Sequence, residues 1–83
     1  MFNIAIYDPS FNNVERLCRN IKNMGFFSSD KIGNIHQYTD IQLLLIAIRE
    51  RVIDVKYIIL YERNYDKVKV RLNTNTNIEV ISI

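Results

Sequence analysis

The sequence contains few residues that interrupt regular structure, with two glycines and one proline among 83 residues. We therefore expect long secondary-structure elements and short connections. The single cysteine excludes an internal disulfide bond and a zinc site built from several cysteines. No apolar run approaches the roughly 20 residues of a membrane helix, and the N-terminus lacks the features of a signal peptide. These absences predict a soluble, cytoplasmic protein that makes no membrane contact.

Charge and composition are those of an ordinary folded protein. Eleven basic and nine acidic groups give a net charge of +2, which is too balanced for an obvious nucleic-acid footprint. Apolar residues make up 48% of the chain and charged residues 24%, values that are typical of globular domains. A chain of this size buries about 60–65% of its unfolded surface. We expect a single domain over residues 1–83.

Hydrophobic periodicity predicts strands that alternate with helices. Continuous apolar runs, typical of strands buried on both faces, occur at Phe2–Tyr7 and Val55–Tyr61. Weaker strand patterns occur at Ile32–Tyr38 and Ile78–Ile83. The segment Lys67–Leu72 fits both an alternating strand and a single helical turn.

Two segments have the three- and four-residue spacing of an amphipathic helix. The first begins after Ser10 as its N-cap and ends at Gly25, which suits a left-handed terminal residue. Its apolar stripe consists of Val14, Leu17, Cys18, Ile21 and Met24. The second begins after a cap at Thr39 or Asp40 and is predicted to extend to Val52. Because its apolar side is wide, we expect it to be covered more completely than the first.

This order of elements predicts an α/β protein with a parallel, doubly wound sheet and right-handed crossovers. In such sheets, ligands bind beyond the carboxyl ends of the strands. The residues that follow the predicted strands are Asp8, Pro9, Tyr38, Thr39, Tyr61 and Glu62.

Four segments resemble bacterial response-regulator receiver domains, most closely those attached to LytTR-type DNA-binding domains. Met1–Asp8 is similar to the family's first strand, Val14–Gly25 to its first helix, Val55–Glu62 to its phosphoacceptor strand and Asn77–Ile83 to its fourth strand. The resemblance implies a flavodoxin-like sheet with strand order 2-1-3-4 that ends before the fifth strand and the last helices. It also implies that the chain is either completed by association or forms the N-terminal part of a longer regulator.

The family's phosphoryl chemistry can be compared residue by residue. A working receiver has two adjacent acids after its first strand and an aspartate after its third, which together hold Mg²⁺ and accept the phosphoryl group. Here Asp8 matches the first acid, but Pro9 matches the second and Tyr61 the phosphoacceptor. Shifting the alignment by one residue brings Glu62 to the acceptor position and turns the strand's apolar residues to the other face. Ser82 lies slightly early for the family's switch hydroxyl.

Asp8, Pro9, Tyr61 and Glu62 therefore correspond to a vestigial acidic pocket. Because two of the family's acids are replaced, we predict a receiver-like domain that is not phosphorylated. For Asp8, two interpretations stay open: a residual ion-sensing site, or a strand-end acid that caps a helix or contacts water. Two interpretations also stay open for Tyr61: it is either a modified or ligand-stacking residue, or an aromatic ring that fills the vacated acidic pocket. We expect no catalytic residue, no metal and no cofactor, and therefore not an enzyme.

Other candidate residues favour structural roles. His36 has no second ligand at metal-binding spacing, and Cys18 lies on the apolar stripe of the first helix. No glycine-rich phosphate loop follows the first strand. The basic residues Arg49, Arg51, Lys56 and Arg63 interleave with acids, which favours a mixed-charge surface over a nucleic-acid site.

The last predicted strand lies at the edge of the sheet and is apolar at Ile78, Val80, Ile81 and Ile83. Apolar edges pair readily with other chains, so we expect a homodimer or a partner protein that completes the sheet. Our hypothesis is a phosphorylation-independent pseudo-receiver, an interaction or dimerisation module of signal transduction or transcriptional regulation. It would reach DNA only indirectly, through a longer regulator. The alternative is a small nucleotide- or nucleic-acid-binding protein of the same doubly wound fold.

Overall fold

The computed structural model describes residues 1–23, 29–72 and 77–83, which form a single parallel sheet flanked by helices. The elements are β1 (Phe2–Tyr7), α1 (Phe11–Asn23), β2 (Ile32–Tyr38), α2 (Ile41–Arg49), β3 (Tyr57–Leu60), α3 (Tyr65–Arg71) and β4 (Glu79–Ser82), with 3-10 turns at Ser29–Lys31 and Glu62–Asn64. The strand order is β2-β1-β3-β4, with every pair parallel. The predicted flavodoxin-like, doubly wound α/β fold and its strand order are confirmed.

The strand β1 lies between β2 and β3 and is buried on both faces. Ile4 and Ile6 contact one half of the core, and Ala5 and Tyr7 contact the other. Each fully buried isoleucine stabilises the fold by about 1.5–3 kcal/mol relative to an exposed one. The lack of polar alternation in this strand is explained by its two covered faces.

The two faces of the sheet carry different helices. On one face, α2 and α3 cover a core made of Ala5, Tyr7, Leu44, Ala47, Ile53, Val55, Ile58, Leu60, Val68 and Val80. On the other face, α1 covers a smaller core made of Ile4, Ile6, Val14, Leu17, Ile21 and Ile59. Since α1 lies against β1 and β2, the same side of β3 and β4 presents the half-buried side chains of Tyr57 and Ile81.

The weak strand pattern of β2 corresponds to an irregular register next to Gly33 and Asn34, where β2 contains one more residue than the facing part of β1. Asn3 of β1 fixes this bulge, because its Oδ1 accepts the Asn34 amide at 2.9 Å and its Nδ2 donates to the Asp54 carbonyl at 3.1 Å. A Cβ atom on Gly33 would lie 2.6 Å from the same Oδ1. A larger residue at this position would therefore push the Asn3 side chain away from the Asn34 amide.

The helix α2 begins where the sequence predicts it, but part of its wide apolar side is exposed. Asp40 is the N-cap, and its carboxylate accepts the backbone amides of Gln42 and Leu43. Leu44 and Ala47 are buried, whereas Leu43 and Ile46 are 57% and 41% exposed. The expectation that the wide apolar side of α2 is covered holds for Ala47 but not for Leu43 and Ile46. A helix on a sheet face buries only one stripe, and these two side chains lie outside it.

The C-terminus of α2 is set by Arg51, which adopts a left-handed φ of 57°. The Arg51 amide donates to the Ile48 carbonyl at 3.2 Å and the Val52 amide to the Ala47 carbonyl at 2.8 Å. These two bonds form the Schellman motif that ends many helices. The helix therefore ends at Arg49, and the predicted extension to Val52, which is 74% exposed, is wrong.

The ambiguous segment Lys67–Leu72 belongs to the helix α3. In a strand, Val68 and Val70 would share a face, but Val68 is buried and Val70 is exposed. The predicted strands at the third and fourth positions are confirmed in shorter form, as β3 and β4.

The predicted start of α1 is confirmed. Ser10 directly precedes the helix, and its carbonyl accepts the amide of Val14 at 3.1 Å. The predicted end of the helix, at Met24 and Gly25, lies outside the described residues.

We predict that Arg51→Gly raises the free energy of unfolding by about 0.5–1 kcal/mol. Glycine adopts the left-handed conformation without the steric cost that a Cβ atom brings, and this gain exceeds the greater freedom of the unfolded chain. Urea unfolding monitored by circular dichroism measures the change. Arg49→Gly is the matched control, since the same substitution inside the helix should destabilise it by about 1 kcal/mol. Equal destabilisation by both variants would contradict this description of the helix end.

Candidate functional site

The carboxyl ends of β1 and β3 meet at one edge of the sheet, and Asp8 occupies the position directly after β1. Its side chain is completely buried. The Asp8 amide donates to the Tyr38 carbonyl at 3.2 Å, which fixes the backbone of this position against the end of β2. A carboxylate is thus placed at the crevice where doubly wound folds bind their ligands.

Four hydrogen bonds occupy the Asp8 carboxylate. Its Oδ1 accepts the backbone amide of Ser10 at 2.8 Å and the side-chain amide of Asn13 at 3.1 Å. Its Oδ2 accepts the side-chain amide of Asn64 at 3.0 Å and the guanidinium of Arg63 at 3.4 Å. Two donors thus come from the start of α1 and two from the turn after β3.

These donors compensate the cost of burying a charge. An ionised carboxylate without partners costs many kcal/mol in an apolar interior. The four hydrogen bonds, one of them from the Arg63 cation, offset that cost at Asp8. The bond from Asn64 is of ordinary length and lies in the interior. The bond from Arg63 is longer, and its side chain is 65% exposed, so solvent screens that ion pair.

The turn after β3 delivers its two donors because the chain coils immediately into the 3-10 turn Glu62–Asn64. The Asn64 amide donates to the Tyr61 carbonyl at 2.9 Å, which closes the turn. Since β3 is the direct neighbour of β1, this turn lies beside the end of β1. The buried Asn64 side chain therefore points its amide at Asp8.

The other members of the predicted acidic pocket have different environments. Tyr61 is half-buried and packs against the core under α1, with the Arg63 guanidinium 5.6 Å from its ring centroid. Arg63 thus contacts both Asp8 and Tyr61 and links them. Pro9 and Glu62 are exposed and donate nothing to the carboxylate.

This donor set does not fit a magnesium ion. Mg²⁺ requires several oxygen ligands in near-octahedral geometry, but both oxygens of Asp8 already accept N–H donors. Pro9 has no side-chain oxygen, and the Tyr61 phenol is a poor ligand while protonated. A metal at Asp8 would also displace the buried Asn64 amide and leave it unpaired. Across residues 1–23, 29–72 and 77–83, no three His, Cys, Asp or Glu side chains cluster as metal ligands do.

A buried tyrosine lies on the opposite face of the same strand end. Burial raises the pKa of the Tyr7 phenol above its ordinary value, the carboxylates of Asp8 and Asp40 raise it further, and Arg71 lowers it. The phenol therefore stays protonated at neutral pH. Tyr7 supplies a neutral hydroxyl to this edge, and neither a base nor a nucleophile.

Sequence reasoning missed Asn13, Arg63 and Asn64 as partners of Asp8. Arg63 was predicted to lie on a mixed-charge surface. The available signal was topological, because Asp8 and Asn64 each follow a strand predicted to lie at the centre of the sheet. Asp8 contacts Ser10 and Asn13 at the start of α1, as a strand-end acid beside a helix does, and its side chain is buried away from water.

The predicted interaction edge is divided between the two faces of β4. Val80 is buried and Ile78 packs against the core under α2 and α3, so these side chains face inward. Ile81 is half-buried on the opposite face, and Ile83 is 36% exposed. Within the described part of the chain, β4 is an outer strand of the sheet.

The remaining candidates lie apart from Asp8. Cys18 packs against the core under α1, and its sulfur lies 3.6 Å from the Gln37 side-chain amide, which donates to it. His36 is half-buried in the middle of β2. Lys56 precedes β3 and lies over the Phe2 ring at 5.7 Å, at the opposite end of the strand from Arg63. The predicted basic group is therefore not one cluster.

We predict that Asn64→Ala destabilises the fold by about 2 kcal/mol, because a buried carboxylate oxygen loses its best interior donor. Arg63→Ala should cost less than about 1 kcal/mol, since its ion pair is long and exposed to solvent. Urea unfolding of both variants measures the two free energies. Asn12→Ala removes an exposed amide from the same region and is the control, with an expected change within about 0.5 kcal/mol. A larger loss for Arg63 than for Asn64 would contradict this ranking.

Comparison of the chain with protein-family models, with curated proteins and with solved structures gives no match. The helices of the described residues are all too short or too polar to cross a membrane. The doubly wound fold alone does not identify a function, because such folds host many unrelated activities. The chemistry of Asp8 and the exposed surfaces are therefore the basis for a functional proposal.

Proposed function

We propose that the chain is a phosphorylation-independent pseudo-receiver, a protein–protein interaction and dimerisation module of bacterial signal transduction or transcriptional regulation. The observation that carries the proposal is the occupied carboxylate of Asp8, which accepts hydrogen bonds from Asn64 and Arg63. In the receiver family that the sequence resembles, the equivalent acid holds Mg²⁺. In this chain, the Arg63 guanidinium and the Asn64 side-chain amide contact the acid in place of a metal ion.

Permanent bonding at Asp8 supports a scaffold function over a switch function. A metal- and phosphoryl-dependent site changes its charge when it is loaded, and that change can alter the position of the loop after the third strand. In this chain, the turn Glu62–Asn64 is bonded directly to Asp8 through the Asn64 side chain. The Tyr61 side chain packs against the core instead of presenting a carboxylate nucleophile. We therefore propose no catalytic step for this protein.

The sheet surface opposite α2 and α3 supports association as the function of the scaffold. On β3 and β4, this surface carries Tyr57, Ile81 and Ile83, which are half-buried or exposed. Outer strands with apolar side chains pair with further strands, and natural proteins otherwise protect them with charges or a covering helix. We propose that a second copy of the chain, or a partner protein, covers β4 and this surface. Any contact with DNA would be indirect, through a longer regulator.

We expect Mg²⁺ and acetyl phosphate, added together, to leave the amide NMR signals of Asp8, Ser10 and Asn64 unchanged. Their hydrogen-bond partners are already in place, and neither reagent has an oxygen ligand set to bind. Weak Mg²⁺ binding to exposed acids such as Asp54 and Glu79 is the internal control, since it would shift only signals at the far end of the sheet. Saturable shifts around Asp8, or a phosphorylated chain in the mass spectrum, would contradict the proposal.

We expect the chain to form dimers at micromolar concentration, and Ile81→Lys to weaken the dimer about thirtyfold or more. A lysine on the surface of an outer strand opposes strand pairing and removes an apolar contact near the centre of the interface. Sedimentation equilibrium measures the mass as a function of concentration. Val70→Lys is the matched control, because Val70 is exposed on α3, away from this surface. A concentration-independent monomer, or equal weakening by both variants, would contradict dimerisation through β4.

A further inference from the structure

A second surface feature lies on the opposite side of the sheet, between α2 and α3. It is an open groove of about 610 Å³ that runs from the first turn of α2 to the residue after its C-terminus. The residues that line it are Gln42, Leu45, Ile46, Ile48, Arg49, Arg51 and Arg71. At 1.5 Å per residue, the stretch of α2 from Gln42 to Arg51 corresponds to about 14 Å. That length matches two to three turns of a bound helix or a short extended segment.

The lining combines an apolar floor with three guanidinium groups. Leu45, Ile46 and Ile48 supply the apolar part, and the lining contains no acidic and no aromatic residue. Glu50 is 3.9 Å from Arg49, but both side chains are largely exposed, so this pair neutralises little of the positive potential. The groove is therefore positively charged and apolar at the same time.

Two further observations mark this part of α2. Leu43 lies one turn before Ile46, and together they extend the exposed apolar surface outward from the groove. Arg51 brings its guanidinium to the groove from a left-handed backbone position that glycine would occupy at lower cost. The charged side chain at this position is not required by the helix end.

We propose that the groove between α2 and α3 binds an acidic amphipathic peptide segment of a partner protein. Leucine-type side chains of the peptide would contact Leu45, Ile46 and Ile48, as in other complexes in which a helix lies in an apolar groove. Its carboxylates would pair with the guanidinium groups of Arg49 and Arg51, which offer bidentate geometry for such oxygens. This inference is independent of the proposed pseudo-receiver function, because it concerns neither Asp8 nor β4.

The lining favours a peptide over a nucleic acid and over a second copy of the chain. Single-stranded nucleic acids bind grooves in which aromatic side chains stack with the bases, and this lining has none. Burying Leu45 and Ile46 against phosphates and sugars would also leave their apolar surface without a complementary partner. On the face of β4 that carries Ile81, the exposed Glu79 is a single carboxylate side chain, so a second copy offers one acidic side chain there for the three guanidinium groups of the groove.

The probe is a capped peptide of about 15 residues, near the length at which isolated helices become stable, with leucine on one face and glutamate on the other. We expect its titration to shift the amide NMR signals of residues 42–51 and 71, with an affinity that falls as salt is added. The double variant Arg49→Gln/Arg51→Gly should weaken binding about tenfold, the loss expected for two exposed charge pairs. We expect Arg51→Gly to stabilise the helix end, and urea unfolding of the double variant checks that weaker binding does not result from unfolding.

Arg16→Gln/Arg19→Gln on α1 is the matched control, because it removes two exposed positive charges from the opposite face of the sheet. That variant should bind the peptide as the natural chain does. Three results would overturn the proposal: no shifts at millimolar peptide, equal binding of a peptide with lysine in place of glutamate, or equal weakening by both double variants. Tighter binding of a single-stranded oligonucleotide to the same residues would also overturn it and assign the groove to nucleic acid.

Discussion

The Asp8 carboxylate lies in a position that water does not reach, and two parts of the chain converge to satisfy it. The start of α1 supplies Ser10 and Asn13, and the turn after β3 supplies Arg63 and Asn64. Because a buried carboxylate is costly when any strong donor is removed, these segments are held together. The geometry of the whole carboxyl edge of the sheet therefore depends on this one group.

The same interaction distinguishes a scaffold from a switch. In a receiver that is phosphorylated, the strand-end acids stay available for a metal, and their charge is balanced only when the metal is present. Here the Asn64 amide donates a hydrogen bond to the buried acid and Arg63 forms an ion pair with it, and the Arg63 guanidinium also lies 5.6 Å from the Tyr61 ring centroid. We infer that the protein acts through its surfaces, by binding other chains. The face of β4 that carries Ile81 and the groove beside α2 lie on opposite sides of the sheet. One partner can therefore bind each surface at the same time.

The fold was predictable because it depends on long-range burial that leaves a clear sequence pattern. The runs Phe2–Tyr7 and Val55–Tyr61 are apolar on both faces, and the spacing of α1 is helical, so a parallel, doubly wound sheet followed from general rules. The strand order was implied by the resemblance to receiver domains. What the sequence did not predict depends on short polar contacts. The end of α2 is set by the backbone angle of Arg51, which an apolar pattern does not record. The partners of Asp8 come from a turn whose direction is visible only in three dimensions.

The measurement that tests the central claim most directly is a crystal structure of the protein grown in millimolar Mg²⁺. The account predicts that both oxygens of Asp8 still accept hydrogen bonds from Ser10, Asn13, Asn64 and Arg63, with no metal density within coordination distance. A magnesium ion bound to Asp8, with the Asn64 side chain turned away, would contradict it.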